Sequence, residues 1–225
     1  MKLSYFTMPL HPPGRDYLET LNEDRAAFLL ADALGFAEAF VGEHVTDRAE
    51  TITSCLIFLA SIAYQTKRMQ LGSGTVNMPN AHPAAIAAQV SMLDHMLEGR
   101  FIFGISPGGL RSDAEVFGNL DRDRKAMFDE CIEQVLGIWA GDPPYDIDGQ
   151  FWNVSTRRTM DLEIGQGAII KPYQRPHPPV MVACMSPFSA SVSNAASRGW
   201  SIISANFLQP VWVQSHWQKL LEGWD

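Results

Sequence analysis

His44 is the residue of this chain best suited to move a proton. It closes the run Val41-Gly42-Glu43-His44, at the end of an apolar segment, Phe36–Val41, that reads as a buried strand. An imidazole titrates near neutrality and can donate or accept a proton there, although a lone histidine at a strand end also serves structure. Glu43 would orient that ring, meet a ligand, or form an internal salt bridge. Gly74 and Thr75 end another short apolar strand, and small residues let a flat ring approach the backbone. Asn77 offers an amide to the edge of such a ring, or simply makes a turn. Ser106-Pro107-Gly108-Gly109 follows a further buried strand. Its glycines would present N–H groups to an anion. Arg111 or Arg124 would add positive charge, or make exposed surface pairs. Ala183-Cys184-Met185-Ser186 ends one more strand, with Ser186 placed to cap the next helix. A capped helix start is an anion site or a plain N-cap.

The elements that must position these residues alternate. The pattern predicts strands over Lys2–Met8, Phe36–Val41, Met69–Val76, Phe101–Ile105, Val180–Cys184 and Trp200–Ser204. Helices are expected over Glu19–Leu34, Thr51–Gln65, Ala84–Glu98, Asp123–Ala140, Phe188–Arg198 and Val211–Trp224, several closed by a glycine. In the third helix Ile86, Val90, Leu93 and Leu97 recur at helical spacing. Gly141–Pro179 interrupts the alternation as an insertion, expected to cover the site. Within it Asp148-Gly149 would turn a hairpin between Tyr145–Ile147 and Phe151–Val154. Strict alternation gives an α/β fold with a parallel sheet. Ligands then sit at the carboxyl ends of the strands, where all the candidates above fall. Six βα units fit an open doubly wound sheet, or a (β/α)8 TIM-type barrel lacking its last quarter.

Composition narrows the function. The chain has 225 residues, 46% hydrophobic and 19% charged, an ordinary globular balance. A net charge of −8 argues against a nucleic-acid surface. No apolar run is long enough to span a membrane. The start, MKLSYFTMPL, is broken too early by Pro9 for a secretion signal. Cys55, Cys131 and Cys184 form neither a disulfide framework nor a metal motif, so no metal site and a reducing, cytoplasmic setting are expected. The first strand runs into Pro9-Leu10-His11-Pro12-Pro13-Gly14 rather than a dinucleotide-binding glycine turn.

Several strings, in order, resemble the bacterial luciferase-like flavin monooxygenase family. They are Val41-Gly42-Glu43-His44, Ala81-His82-Pro83, Leu93-Asp94-His95-Met96-Leu97-Glu98-Gly99-Arg100-Phe101, Phe103-Gly104-Ile105 and Val116-Phe117-Gly118. Gly108-Gly109-Leu110 and Ser112-Asp113-Ala114-Glu115 are similar to its limonene-monooxygenase-like branch. The resemblance implies one luciferase-like barrel domain over residues 1–225, with an insertion at about 141–179. It implies reduced FMN, supplied by a separate flavin reductase, which reacts with O2 to oxygenate a small apolar organic substrate. It makes His44 the catalytic residue. Glu43, Gly74, Thr75, Asn77, Ser106, Gly108, Gly109, Arg124, Ala183, Cys184, Met185 and Ser186 become the cofactor site, with the phosphate at Met185 and Ser186. Val45 stands where the family often has a second histidine, and Ser106-Pro107 where luciferases carry cysteine and arginine. Cys184 replaces an acidic residue. Other readings on the same fold are a deazaflavin-dependent oxidoreductase and a non-catalytic flavin-binding protein or inactive fragment. Two further βα units are expected to complete the barrel, and a homodimer through the second and third helices is usual in the family. Phe6, Met8, Met78, Trp152 and Phe188 are candidates for an apolar substrate pocket.

Overall fold

The computed structural model describes residues 2–224. In chain order the elements are β1 (Ser4–Thr7), α1 (Tyr17–Leu34), β2 (Glu38–Val41), α2 (Cys55–Ile62), β3 (Gln70–Ser73), β4 (Val76–Asn77) and a 3-10 turn (Met78–Asn80). There follow α3 (Pro83–Met96), β5 (Phe101–Ser106), α4 (Arg111–Val116), α5 (Arg124–Ala140), β6 (Asp146–Ile147) and β7 (Val154–Ser155). The chain ends in β8 (Val180–Cys184), α6 (Ala190–Ser197), β9 (Ser201–Ser204) and α7 (Pro210–Trp224). The main sheet runs β1-β2-β3-β5-β8-β9, parallel throughout, and β4 also pairs with β5. The open-sheet alternative gives way to a curled, incomplete barrel, with β1 and β9 at its edges.

Two apolar layers hold this sheet. The larger lies between the strands and their helices, with Phe28, Leu59, Ile62, Leu71, Ile86, Phe101, Phe103 and Ile132 fully or almost fully buried. The smaller, on the opposite face, gathers Phe40, Ile102 and Met181 with Phe6 and Ile203. Glycines make this inner layer possible. A Cβ on Gly72 would stand 2.3 Å from the Phe40 ring, and one on Gly104 1.8 Å from the Ser73 carbonyl oxygen.

Polar side chains lock the connections. Asp32 accepts backbone N–H bonds from Lys67, Arg68 and Met69, which ties α1 to the start of β3. Arg100 donates to the carbonyls of Ala63, Thr66 and Met69. Asp94, fully buried, accepts from the backbone and side chain of Gln174 at 2.8 Å each, pinning the insertion to α3. These contacts give a structural reason for the Asp94 to Arg100 string.

Several expected elements are corrected. The strand over Met69–Val76 is split, with a cis peptide between Gly74 and Thr75 separating β3 from β4. The second helix starts only at Cys55, because Ser54 caps it by accepting from the Ile57 N–H. The hairpin pairs Asp146 with Ser155 and Ile147 with Val154, so its loop is 148–153 and not a tight Asp148-Gly149 turn. The Glu130 carboxylate shapes that loop by accepting from Gln150, Phe151 and Trp152. The face of Cys55–Ala63 packs on this chain's own sheet, with Cys55, Leu59 and Ile62 fully buried.

Candidate active site

β2 ends against α2, and Glu43 makes the join. Its Oε2 accepts from the Cys55 N–H at 3.0 Å and lies 3.1 Å from the Cys55 Sγ. Its Oε1 accepts from the Asn77 N–H at 3.0 Å, and the Asn77 side chain donates back to the Glu43 carbonyl at 3.1 Å. Dense surroundings push the Glu43 carboxyl above the usual range, against the pull of those N–H groups. Glu43 is therefore a tie between strand ends rather than half of a salt bridge. The Cys55 thiol is pushed well up by burial and by this neighbour.

Asn77 carries the network onward. Its Oδ1 accepts from the Ser106 hydroxyl at 3.1 Å, and the Ser106 oxygen accepts from Thr75 at 2.5 Å and from the Gly108 N–H at 3.1 Å. Gly108 sits at φ +76°, where a Cβ would stand 2.8 Å from Arg124 Nη2. Arg124 Nη2 donates to the Pro107 and Gly108 carbonyls at 2.6 and 2.8 Å, and its Nε is buried with no partner among the described residues. Thr75, Asn77, Ser106, Gly108 and Arg124 thus form one connected cluster, joined to Glu43 through Asn77.

Ser106, Gly108 and Gly109 also border a cleft of about 880 Å³ that Ala183, Met185, Ser186 and Ser189 close from the other side. It continues between α5 and α6 toward Trp200, where Arg198 and Glu133 form an ion pair. A Cβ on Gly109 would meet only Met185 Cε, at 3.9 Å. Ser186 is not the helix cap. Phe188 adopts φ +54°, so α6 starts later and Ser189 caps it through the Ser191 N–H. The Ser186 carbonyl instead accepts from His216 of α7 at 2.9 Å, and Ser215 accepts from the Phe188 N–H. Cys184 is buried and turned from the cleft, and burial raises its thiol to about 11.

His44 does not line this cleft, and its Nδ1 lies against Glu50. The loop after it is held by Asp113 of α4, a short polar helix absent from the expected elements. Gly74 is buried beside Phe6 and Phe40, beneath the strand ends. Phe6 packs on the inner apolar layer and Met8 lies against Gly42, and neither lines the cleft. Met78 and Trp152 belong to the main core instead, and Phe188 is exposed at the rim. Asp113, Glu50, Ser189 and His216 are the site residues that the sequence reading missed. Of these, Ser189 carried a local signal as a second serine before a helix, and Asp113 lay within the Ser112-Asp113-Ala114-Glu115 string.

The cleft residues fit the phosphate of an anionic cofactor at this face. Ser106, Ser186, Ser189, the open Gly109 and the start of α6 line the cleft and suit a phosphate, while Asp129, Glu130 and Glu133 border it further along. Arg124 reaches Gly108 but does not line the cleft, and Gly74-Thr75, expected to let a flat ring approach the backbone, is buried against Phe6 and Phe40. No helix among the described residues is long and apolar enough to cross a membrane.

Comparison with known proteins agrees with this architecture. The chain is 30% identical over 175 residues to 4-hydroxyprotoasukamycin monooxygenase of Streptomyces nodosus subsp. asukaensis, covering 75% of this chain and 47% of that one. It is 34% identical over 137 residues to limonene 1,2-monooxygenase of Rhodococcus erythropolis, covering 61% and 35% respectively. The chain spans about half the length of the curated relatives it matches. Its fold superposes with TM-score 0.90 on the oxygenating constituent of 3,6-diketocamphane monooxygenase from Pseudomonas putida, solved with FMN, at 24% identity over 100% of this chain and 63% of that one. The luciferase-like monooxygenase family model matches residues 1–218, and the chain belongs to that family.

Proposed function

We propose that the chain is the flavin-binding part of an FMN-dependent monooxygenase that oxygenates a small apolar organic molecule. Reduced FMN, when bound, supplies the oxygen-activating chemistry, and a separate reductase supplies the reduced flavin. The observation that carries this reading is the convergence at one sheet end of His44, the Gly74-Thr75 end and the Ser106–Gly109 and Ala183–Ser186 turns. Arg124, Gly109, Ser186 and Ser189 hold the phosphate, with the backbone around Met185 and α6. Glu43, Asn77, Thr75 and Ser106 keep the strand ends in register beneath the ring. Ala183 and Cys184 carry the chain into the phosphate turn, and Cys184 is kept as a thiol by burial. His44 moves a proton at the nitrogen that faces the mouth. Phe6 and Met8 keep the inner side dry.

Equilibrium titration with FMN tests the binding. Reduced FMN with O2 and a panel of monoterpenes and bicyclic ketones, with products identified, tests the reaction. FMN binding with oxygenated product supports the reading. A preference for a deazaflavin over FMN would replace it with hydride transfer. Residues 1–225 as one barrel domain, a homodimer and a cytoplasmic setting complete the proposal, and sedimentation at several concentrations tests the dimer.

A further inference from the structure

His44 and Glu50 face each other within one loop. The imidazole Nδ1 is in ion-pair contact with Glu50 Oε2, and both atoms are sealed from solvent and make no aligned hydrogen bond to any described residue. The two side chains nevertheless keep 22% and 23% of their surface exposed, so the ring is open on its other edge. The loop fixes the pair from several directions. Asp47 Oδ1 accepts from the N–H groups of Ala49 and Glu50 at 2.7 and 3.3 Å. Glu50 bridges Leu10, and the His11 N–H reaches the Ala49 carbonyl at 2.8 Å. The His44 N–H donates to the Ile52 carbonyl at 3.0 Å.

A neutral imidazole carries one N–H, and a carboxylate can only accept. Facing Nδ1, it draws the proton to that nitrogen and fixes the ring plane. We propose that Glu50 is the positioning residue of His44, holding the Nδ1–H tautomer so that Nε2 is the nitrogen that exchanges a proton at the mouth. This rests on the flavoenzyme reading for its purpose, while the pairing itself stands on the chain alone. Asp47 acts one step back, by shaping the turn that presents Glu50. The ligand-type atoms of His44, Asp47 and Glu50 lie within 4.8 Å of one another, so a divalent cation is the competing occupant. Direct contact between Nδ1 and the carboxylate leaves no room for an ion between them, which favours the proton.

Long-range nitrogen–proton correlation spectra of the histidine rings test this at about pH 8.5, where free imidazole is neutral. His44→Ala identifies the His44 signals, and circular dichroism and melting check the fold of each variant. The wild-type ring is expected as the Nδ1–H tautomer. Glu50→Ala removes the acceptor and shifts the ring to the Nε2–H form. Glu50→Gln, whose amide oxygen still accepts, restores the Nδ1–H signature. A wild-type Nε2–H ring, or folded Glu50→Ala with an unchanged spectrum, overturns the proposal. So does Zn2+ alone, if added at micromolar level it shifts the His44 signals and loses that effect in Asp47→Asn. FMN titration of the same samples keeps the two readings apart: no FMN binding ends the flavin reading, while the tautomer result still decides the pairing.

Discussion

Asp113 holds the loop that follows His44 from 67 and 68 residues away along the chain. Its carboxylate accepts from the Val45 N–H at 3.1 Å, the Thr46 N–H at 2.9 Å and the Thr46 hydroxyl at 2.5 Å. The side chain is almost wholly buried, so α4 serves as a bracket between the mouth of β5 and the mouth of β2. Asp113→Ala strands two backbone donors and is expected to cost about 2–3 kcal/mol. A melting midpoint lowered by roughly 5–10 °C would register it. An unchanged midpoint would show the bracket to be dispensable.

His44→Ala leaves the phosphate turn untouched, because His44 does not border the cleft at Ser106–Gly109 and Ala183–Ser186. Its FMN dissociation constant should stay within about threefold of wild type. Product formation with reduced FMN should fall by about 10²-fold or more. Full turnover in the variant would remove His44 from the chemistry.

Glu43 makes stability depend on pH in a definite direction. Its carboxyl is raised in the folded state, chiefly by burial. Between the ordinary glutamate range and the raised value the native state binds the extra proton. Stability from this group therefore falls as pH rises through that window, and levels off above it. Denaturant midpoints across pH 4 to 9 should show the decline, and Glu43→Gln should remove it (background drift aside). The variant also loses one acceptor for Cys55 and Asn77, so it should be less stable at acid pH, by about 1–2 kcal/mol. A wild-type slope that survives in Glu43→Gln would assign it to another group.

All three cysteines are free and buried, and burial lifts Cys131 to about 12 and Cys184 to about 11. The thiolate is the reacting form. Native protein at about pH 8 should therefore resist iodoacetamide, and take it up only when unfolded. Rapid native labelling of Cys184 would place it in the cleft instead.

The alternation of strands and helices was legible because each buried strand is a compact apolar run and most helices carry a regular apolar stripe. The strand ends follow from that alternation, which places His44, Thr75, Ser106 and Ser186 at the carboxyl ends of their strands. Local rules failed where a distant partner decides the backbone. Phe188 at φ +54° delays α6 from Ser186 to Ser189, with Ser215 of α7 holding the Phe188 N–H. Glu130, on another element, widens the hairpin loop. The bracket at Asp113 joins residues 67 and 68 positions apart, and the His44–Glu50 contact depends on how one irregular loop folds, so no periodicity reveals either.

In the proposed site a flavin phosphate sits where β8 turns into α6, with Arg124 as its source of positive charge. Calorimetric titration of the chain with FMN and with riboflavin, which lacks the phosphate, tests it most directly. FMN should bind at least about tenfold more tightly than riboflavin, a difference of about 1.4 kcal/mol, and Arg124→Ala should shrink that gap. Equal affinities, or no heat with either flavin in a folded sample, would rule out a flavin phosphate at this turn.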